Sequence, residues 1–451
     1  MLNRDNESNI IMVRIDPNGL RGVKEMLLQF SVENYLSFKE QAVLSLVPSS
    51  DKEHLNNVND NGAFKGLNTI AVYGANASGK SNLFKAATVA LNMIRNSANT
   101  QVDQLLPVVP FKLDEKSKKE PSAFEFQFIS RDEKKYIYGF SALPDRIVEE
   151  YLYCYNSNRP SKVFDRTETD SYTFSRTTKK ELEAIIRFTT KNRLFISSAT
   201  LMNAESTRAA YEWLVTGIDT FMNVSDLQNR AYAYYMKDYD NNSRENIEFT
   251  KELFKAADIS ISDIDYSYRK IDELPPDVPR IMINNEPIIP AVEIRQEVNT
   301  EHIVTDEDGN VKKYNLSLQE ESLGTTMLFL YGPFLKETLD KGKVLFIDEI
   351  DRSMHPFVVS YLISLFSRNR NNGAQLIVTT HDTSQLSLDR FRRDQLYFTE
   401  KNPKTGASDL YSLDDFEKPV RKDENIRKKY LQGRYGAIPY VHAEDESLLS
   451  V

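Results

Sequence analysis

A glycine-rich segment of the chain has the residue types and the spacing that bind phosphate. It reads Gly74-Ala-Asn-Ala-Ser-Gly79-Lys80-Ser81 and matches the pattern G-x-x-x-x-G-K-[ST]. Glycines let backbone N–H groups close around phosphate oxygens, and the positive end of a following helix adds to the attraction. We expect Lys80 to reach the β and γ phosphates of a nucleoside triphosphate, and the Ser81 hydroxyl to bind Mg²⁺. The predicted nucleotide contacts are Gly74, Asn76, Ala77, Ser78, Gly79, Lys80, Ser81 and Asn82.

An acidic pair follows a second apolar segment. The residues Val344 to Ile347 predict a buried strand, and Asp348 and Glu349 come directly after it. Asp348 is placed to hold Mg²⁺, directly or through water, and Glu349 is placed to polarise an attacking water as a general base. The alternative is an acid pair that only ends the strand, although carboxylates on a buried strand are costly without a partner.

A histidine follows the next apolar segment, AQLIVTT, which also predicts a strand. A lone histidine is usually structural. At the end of a neighbouring strand, however, His381 can bond the γ phosphate or orient the attacking water. We therefore expect it to be catalytic together with Lys80 and Glu349.

The elements that must position these residues alternate between strand and helix. This order predicts a parallel sheet that is covered on both faces. Lys80 and Asp348 lie 268 positions apart (348 minus 80), so a large lobe must be inserted between strands of one sheet. Short aromatic and β-branched segments at 122–175 predict antiparallel strands, and apolar spacing at 179–258 predicts helices.

The composition excludes several classes of protein. The 451 residues are 40% hydrophobic and 27% charged, which is typical of a globular protein rather than a disordered or fibrous one. No apolar run approaches the ~18 residues of a membrane span, and the start lacks a hydrophobic signal core, so we expect a cytoplasmic protein with no membrane contact. The single cysteine, Cys154, excludes an intramolecular disulfide and a cysteine cluster for zinc. A net charge of −9 argues against a uniformly basic nucleic-acid binder.

Several segments between Met26 and Pro439 occur together, in the same order, in one known group of proteins. They are MLLQFSVENYLSFKE, YGANASGKSNL, VPFKLD, NRLFISSAT, ESLGTTMLFL, VLFIDEIDRSMHP, VTTHDT, RRDQLYF and YLQGRYGAIP. With them the chain resembles the ABC-type ATPases, also classed as AAA ATPases, of prokaryotic abortive-infection and phage-defence systems. SMC-like repair ATPases and overcoming-lysogenization-defect nucleases are broader relatives. The resemblance implies ATP as the ligand and Mg²⁺ as the cofactor.

The resemblance also implies that a second subunit completes the site. The segment Glu321-Ser322-Leu323-Gly324-Thr325 is similar to the signature motif that touches the γ phosphate of ATP bound to another subunit. Independently, Ser322 and Gly324 stand at a predicted helix start, where a hydroxyl and free N–H groups can bind an anion. An ordinary helix cap is the alternative. Asp351 resembles the loop that couples the two sites across a dimer.

The expected fold is α/β, a P-loop ABC-type ATPase head with an antiparallel β lobe and a helical insertion. The expected parts are a flexible N-terminal extension at 1–25, the first half of the ATPase core at 26–113, the β lobe at 114–178, the mainly helical insertion at 179–300, and the second half of the core at 301–451.

The expected function is that of an ATP-hydrolysing switch, a homodimer or higher homo-oligomer that controls an effector such as a nuclease encoded alongside. One alternative is a nucleotide-gated scaffold with little turnover. Another is an SMC-like DNA-repair ATPase, which normally has a long coiled coil, and no sustained heptads occur between Asp114 and Ser317.

Three features leave alternatives open. Gln101 and Gln104 are candidates for sensing the γ phosphate, but both also fit exposed polar positions. Tyr35 and Phe38 are candidates for stacking on adenine, or they belong to the core. A basic cluster near the C-terminus is a candidate for contact with DNA or RNA, or it is a solvated face. Its members are Arg427, Lys428, Lys429 and Arg434, with Tyr430 and Tyr435 between them.

Overall fold

The computed structural model describes residues 25–155, 159–271, 282–283, 286–287, 293–368, 372–416, 420–421 and 424–439. The expected N-terminal extension therefore lies outside the described residues, except for residue 25. The chain divides into two compact units. The described parts of the larger unit lie within 23–222 and 337–451, and those of the smaller unit lie within 223–336.

The described chain consists of runs of strands separated by α-helices. The strands, in chain order, are β1 (Met26–Glu33), β2 (Ala42–Ser45), β3 (Val58–Asp60), β4 (Lys65–Leu67), β5 (Thr69–Gly74), β6 (Ser122–Ile129), β7 (Lys135–Leu143), β8 (Arg146–Tyr155), β9 (Pro160–Thr167), β10 (Ser171–Phe174), β11 (Ile218–Asp219), β12 (Asp263–Ile271), β13 (Met282–Ile283), β14 (Glu286–Pro287), β15 (Glu293–Thr305), β16 (Val311–Ser317), β17 (Val344–Ile347), β18 (Gln375–Thr379), β19 (Leu396–Lys401) and β20 (Ser408–Ser412). The α-helices are α1 (Lys80–Asn96), α2 (Lys179–Leu182), α3 (Phe195–Leu201), α4 (Glu205–Thr216), α5 (Val224–Asp240), α6 (Glu245–Ala256), α7 (Leu323–Lys341), α8 (Pro356–Arg368) and α9 (Ile426–Leu431).

A mostly parallel sheet of the larger unit carries the predicted motifs. Its strand order is β11-β17-β18-β5-β19-β20, and only β20 runs antiparallel to its neighbour. Every residue of β5, β17 and β18 is buried, as expected for central strands covered on both faces. The predicted α/β fold class and the predicted strand-loop-helix order around the glycine-rich segment are confirmed.

An antiparallel sheet forms the second layer of the same unit. Its order is β10-β9-β8-β7-β6-β1-β2, so the strands of the expected β lobe continue into β1 and β2 from the N-terminal part of the chain. Alternating residues of β6 are buried, with Phe124, Phe126 and Phe128 on the covered face. Trp213 of α4 stacks on Phe128 with ring centroids 4.2 Å apart, which ties the helix to this sheet.

The stretch expected to form one helical insertion is divided between the two units. Helices α2, α3 and α4 belong to the larger unit, whereas α5 and α6 belong to the smaller one. In the smaller unit, α5 and α6 are followed by the antiparallel sheet β12-β15-β16. The Tyr235 ring stacks on Phe329 at 4.3 Å, and its hydroxyl donates to the Phe329 carbonyl at 2.8 Å, so α5 and α7 share a core there. Among the described residues, no helix is both long and apolar enough to cross a membrane.

Candidate functional site

The glycine-rich loop lies between β5 and α1, at the carboxyl end of a central strand. Gly79 has a φ of +123°, and a Cβ there would lie 2.6 Å from the Ser408 hydroxyl. A Cβ at Gly74 would lie 2.5 Å from both the Ser78 hydroxyl and the Thr399 carbonyl oxygen. Only glycine fits these two positions, because the backbone approaches neighbouring atoms so closely. Asn76 and Ala77 are exposed at the crest of the loop, where Ala77 has a φ of +61°.

Lys80, the first residue of α1, folds its side chain back over the loop. Its Nζ donates to the carbonyl oxygens of Gly74 and Ala75 at 2.8 and 3.0 Å. Burial lowers the pKa of Lys80, and nearby carboxylates oppose that shift. The carboxylates belong to Asp348, Glu349 and Asp351. The ammonium is thus held between the loop and an acidic cluster.

The acidic pair stands at the carboxyl end of β17. Asp348 is exposed and Glu349 is half-buried, while the four residues before them are buried. Glu349 has a φ of +52°, a left-handed conformation that is uncommon for a residue with a side chain. The Thr379 hydroxyl at the end of β18 donates to Asp348 Oδ1 at 2.6 Å and accepts the Glu349 N–H at 2.7 Å.

His381 lies just beyond β18 and is linked to the loop after the acidic pair. Its backbone N–H donates to Asp351 Oδ2 at 3.1 Å. Partial desolvation, followed by the positive charge of Lys80, lowers the pKa of His381 below 6.5. The imidazole is therefore neutral near pH 7 and can both donate and accept a hydrogen bond. The structure brings His381, Lys80, Asp348, Glu349 and Asp351 into one charged cluster at a single edge of the sheet.

Ser322 and Gly324 belong to the smaller unit, at the start of α7. The Ser322 hydroxyl accepts the N–H of Thr325 at 3.1 Å, which is the contact of a helix N-cap. Glu321 accepts a hydrogen bond from the Thr300 hydroxyl at 2.5 Å, and its carboxylate lies 2.7 Å from His302 Nε2. Ser322 therefore acts as a helix cap, which was one of the two interpretations of this segment. Glu321 attaches the segment to β15.

Two pairs of residues that were candidates for contact with the nucleotide lie away from the charged cluster. Tyr35 and Phe38 are buried, and Tyr35 packs edge-on against Phe124, so they belong to the core and do not offer a face to adenine. Gln101 and Gln104 are exposed and bond each other, the Gln101 N–H donating to Gln104 Oε1 at 3.0 Å.

The aromatic residues of the basic C-terminal cluster pack inside the protein. Tyr430 and Tyr435 are buried, and both stack on Phe398 of β19. Their rings are covered by protein and offer no face to nucleic-acid bases. Nearby charges are partly paired within the protein, since Lys429 forms an ion pair with Glu424.

Sequence reasoning missed several hydroxyl residues around the site. Thr379 contacts the acidic pair, and Thr399 of β19 lies 2.6 Å from the Ser78 hydroxyl, between their Oγ atoms. Asn82 donates from Nδ2 to the Ser37 hydroxyl at 2.8 Å. The available signal was a threonine near the carboxyl end of β18 and of β19, but the strand order is needed to use it.

A cavity of about 220 Å³ lies beside the glycine-rich loop, and one of its lining residues, Asn82, directly follows Ser81. Asn82 and Ser37 line it, together with the apolar residues Leu36 and Val109. Lys112 and Lys401 also line it, and both are exposed. An apolar wall with a few polar groups is typical of pockets that bind small organic ligands.

Ser81 and Asp348 supply the kind of oxygen atoms that fit a magnesium nucleotide. Among the described residues, no group of three or more His, Cys, Asp or Glu side chains is placed to hold a metal ion. Mg²⁺ in nucleotide sites is commonly bound by one or two protein oxygens together with phosphate oxygens. Ser81, which is half-buried at the start of α1, and the exposed Asp348 supply oxygens of this kind.

Comparisons with solved structures find SMC head domains. The SMC head domain from Thermotoga maritima is 11% identical, with a TM-score of 0.38, over 86% of this chain and 98% of that one. An Smc head domain with a coiled coil and joint from Pyrococcus yayanosii is 12% identical, with a TM-score of 0.38, over 91% and 100%. An Smc head domain from Pyrococcus furiosus, solved with an extended coiled coil and bound to the C-terminal domain of ScpA, is 13% identical, with a TM-score of 0.36, over 86% and 96%.

A search of curated proteins returned no match. A family model described as "AAA domain, putative AbiEii toxin, Type IV TA system" matches residues 70–387, which is 318 of the 451 positions (387 minus 70, plus 1). The match begins within β5 and ends after His381, so it includes both the glycine-rich loop and the acidic pair. The chain therefore belongs to this AAA-domain family of P-loop ATPases.

Proposed function

We propose that the protein hydrolyses ATP and works as a nucleotide-dependent switch. The observation that carries this proposal is the meeting of Lys80, Asp348, Glu349 and His381 at one edge of the parallel sheet, beside a phosphate-binding loop. Phosphoryl transfer to water needs a cation on the phosphates and a base on the water, and these residue types supply both. Steady-state ATP hydrolysis by the wild type, Lys80→Ala and Glu349→Gln tests the proposal.

Each residue has a distinct role in the proposed reaction. The Lys80 ammonium, now bonded to loop carbonyls, moves onto the β and γ phosphate oxygens and neutralises their charge. Ser81 and Asp348 would hold Mg²⁺, which would polarise the phosphate oxygens. Glu349 accepts a proton from the attacking water, and the neutral His381 bonds a γ phosphate oxygen or the water.

The cavity beside the loop is the proposed site for the adenine base. Asn82, one of its lining residues, directly follows the residue proposed to bind Mg²⁺, so a nucleotide whose phosphates lie on the loop would extend toward it. Leu36 and Val109 offer apolar contact to a base, and Lys112 and Lys401 line the same cavity.

A second copy of the chain is proposed to complete each site. Ser322 and the first N–H groups of α7 make a polar helix terminus that suits a phosphate oxygen, and the N-cap contact does not use all of these donors. In this arrangement ATP joins two copies, and its hydrolysis releases or reshapes them. The order of the oligomer is at least two.

The biological role proposed for this switch is antiviral defence in a prokaryotic cytoplasm. The description of the matching family, an AbiEii-type toxin of a toxin–antitoxin system, supports such a setting. The ATP state would then control a partner effector, such as a nuclease encoded alongside. Steady-state hydrolysis measured with and without DNA or RNA would also show whether nucleic acid stimulates the switch.

A further inference from the structure

We infer that Thr379 is a positioning residue that holds both members of the acidic pair in their working geometry. This inference rests on the proposed ATP hydrolysis, because its consequence is a change in the rate of that reaction. Thr379 ends β18, the strand beside β17, and is fully buried. Its hydroxyl contacts two consecutive residues of the neighbouring strand's end.

The hydroxyl uses both its donor and its acceptor capacity. Thr379 Oγ1 donates to Asp348 Oδ1 at 2.6 Å and accepts the backbone N–H of Glu349 at 2.7 Å. The Thr379 carbonyl oxygen also accepts the N–H of Ile350 at 3.1 Å. One residue thus binds three successive positions of the acidic turn. A hydrogen bond to an ionised group is stronger than one between neutral groups, so the contact with Asp348 is well suited to fix that carboxylate.

These contacts explain an unusual backbone conformation. Glu349 has a φ of +52°, which a residue with a Cβ adopts only when its surroundings favour it. The bond from the Glu349 N–H to the Thr379 hydroxyl and the bond from the next N–H to the Thr379 carbonyl bracket this residue. The direction of the Glu349 carboxylate therefore depends on Thr379.

The same hydroxyl sets the orientation of the proposed metal-binding carboxylate. It donates to Oδ1 of Asp348 and so restrains the carboxylate that would hold a metal ion. Loss of the hydroxyl frees the Asp348 carboxylate to rotate and removes the acceptor for the Glu349 N–H. Both the general base and the metal site then lose part of their preorganisation, while the phosphate loop is unchanged.

The test compares Thr379→Val, which keeps the shape and loses the hydroxyl, with Thr379→Ser, which keeps the hydroxyl. Thr69→Val is the matched control, because Thr69 is a buried threonine of β5, in the same sheet, whose hydroxyl has no hydrogen-bond partner within the described part of the chain. We expect Thr379→Val to lower kcat by roughly 10- to 100-fold with KM for ATP changed less than about threefold. Thr379→Ser and Thr69→Val should stay within about threefold of wild type in both constants.

The inference is overturned if Thr379→Val keeps the wild-type kcat, or if Thr379→Ser is impaired as strongly as Thr379→Val. Wild-type hydrolysis with an unimpaired Thr379→Val would leave the proposed function standing and reject only the role of Thr379. If the wild type binds ATP without turnover, the Mg²⁺ concentration that half-saturates ATP binding is decisive. We expect Thr379→Val to raise this Mg²⁺ concentration at least about threefold, and an unchanged concentration would reject the positioning role of Thr379.

Discussion

The hydroxyl of Ser78 in the phosphate-binding loop lies 2.6 Å from the hydroxyl of Thr399 in β19. Both residues are buried, and β19 pairs with β5 in parallel, with Thr399 opposite Gly74. The loop is thus tied to the strand on one side of β5, while the acidic pair is tied to β18 on the other side. Neighbouring strands position both halves of the proposed site through threonine hydroxyls.

Thr399→Val should weaken ATP binding, because it removes the partner of Ser78 and leaves a buried hydroxyl unpaired. A loss of about 1 kcal/mol corresponds to a rise in KM for ATP of roughly fivefold. The measurement is KM and kcat from steady-state hydrolysis, with Thr399→Ser as the control that keeps the hydroxyl. Equal KM values for Thr399→Val and wild type would show that this contact does not shape the loop.

A mixture of two inactive variants should regain ATP hydrolysis if sites are shared between copies. Ser322→Asp keeps a side chain that caps α7 but places a carboxylate at the helix terminus, where it repels phosphate. We expect it to lower kcat by about 10²-fold or more. Lys80→Ala should be inactive because its own loop cannot bind ATP. Mixed dimers contain one intact composite site and should hydrolyse ATP.

Ser322→Thr is the control for the shared site, because it retains both the cap and a neutral hydroxyl. Full activity of Ser322→Asp alone would exclude a contact between this position and phosphate. Failure of the mixture to regain activity, with both variants folded and associating, would place the whole reaction within one copy.

The pH dependence of ATP hydrolysis should show that the His381 imidazole is neutral near pH 7. Its pKa is lowered in the folded protein, so the neutral form persists below pH 6.5 and is lost only as the pH falls through the lowered value. The unfolded chain takes up the proton at higher pH, so folding stability contributed by this group also falls from about pH 6.5 downward. Profiles of kcat/KM from about pH 5 to about pH 8 should show an acidic limb below 6.5.

His381→Gln should lack that acidic limb, because an amide keeps donor and acceptor groups but does not titrate. An identical limb in this variant would assign the titration to another group, and a limb above 6.5 would contradict the neutral imidazole.

Filling the proposed adenine cavity should separate base recognition from phosphate recognition. Val109→Trp places a large ring in the cavity, and we expect KM for ATP to rise about tenfold, which corresponds to roughly 1.4 kcal/mol. Inhibition by inorganic tripolyphosphate should be unchanged, since it needs only the loop. Val102→Trp, at an exposed position, is the matched control. An unchanged KM for Val109→Trp would show that the base lies elsewhere.

The sequence alone was sufficient for the motifs that are continuous along the chain. The glycine-rich loop, Asp348, Glu349 and His381 each follow an apolar segment, and an apolar segment of that length in alternation with helices predicts a central strand. Their convergence follows because parallel strands place their carboxyl ends at one edge. These features are local in sequence or follow from a general rule of sheet topology.

The features that could not be predicted depend on which strands become neighbours. Thr379 matters only because β18 lies beside β17, and Thr399 matters only because β19 lies beside β5; neither pairing is written in the segments themselves. For the same reason β1, expected as part of the ATPase core, pairs with β6 of the antiparallel sheet. Tyr430 illustrates another limit, since a tyrosine among basic residues gives the same local signal whether its ring is exposed or packed on Phe398.

The most direct test of the account measures ATP binding and phosphate release by the same preparations of wild type, Lys80→Ala and Glu349→Gln. We expect the wild type to bind and hydrolyse ATP, and Lys80→Ala to do neither. Glu349→Gln should bind ATP with wild-type affinity, hydrolyse it about 10² to 10⁴ times more slowly, and accumulate as an ATP-bound dimer in light scattering. Equal turnover by Glu349→Gln and wild type would contradict the assignment of Glu349 as the general base. ATP binding without turnover in the wild type would indicate a nucleotide-gated scaffold instead.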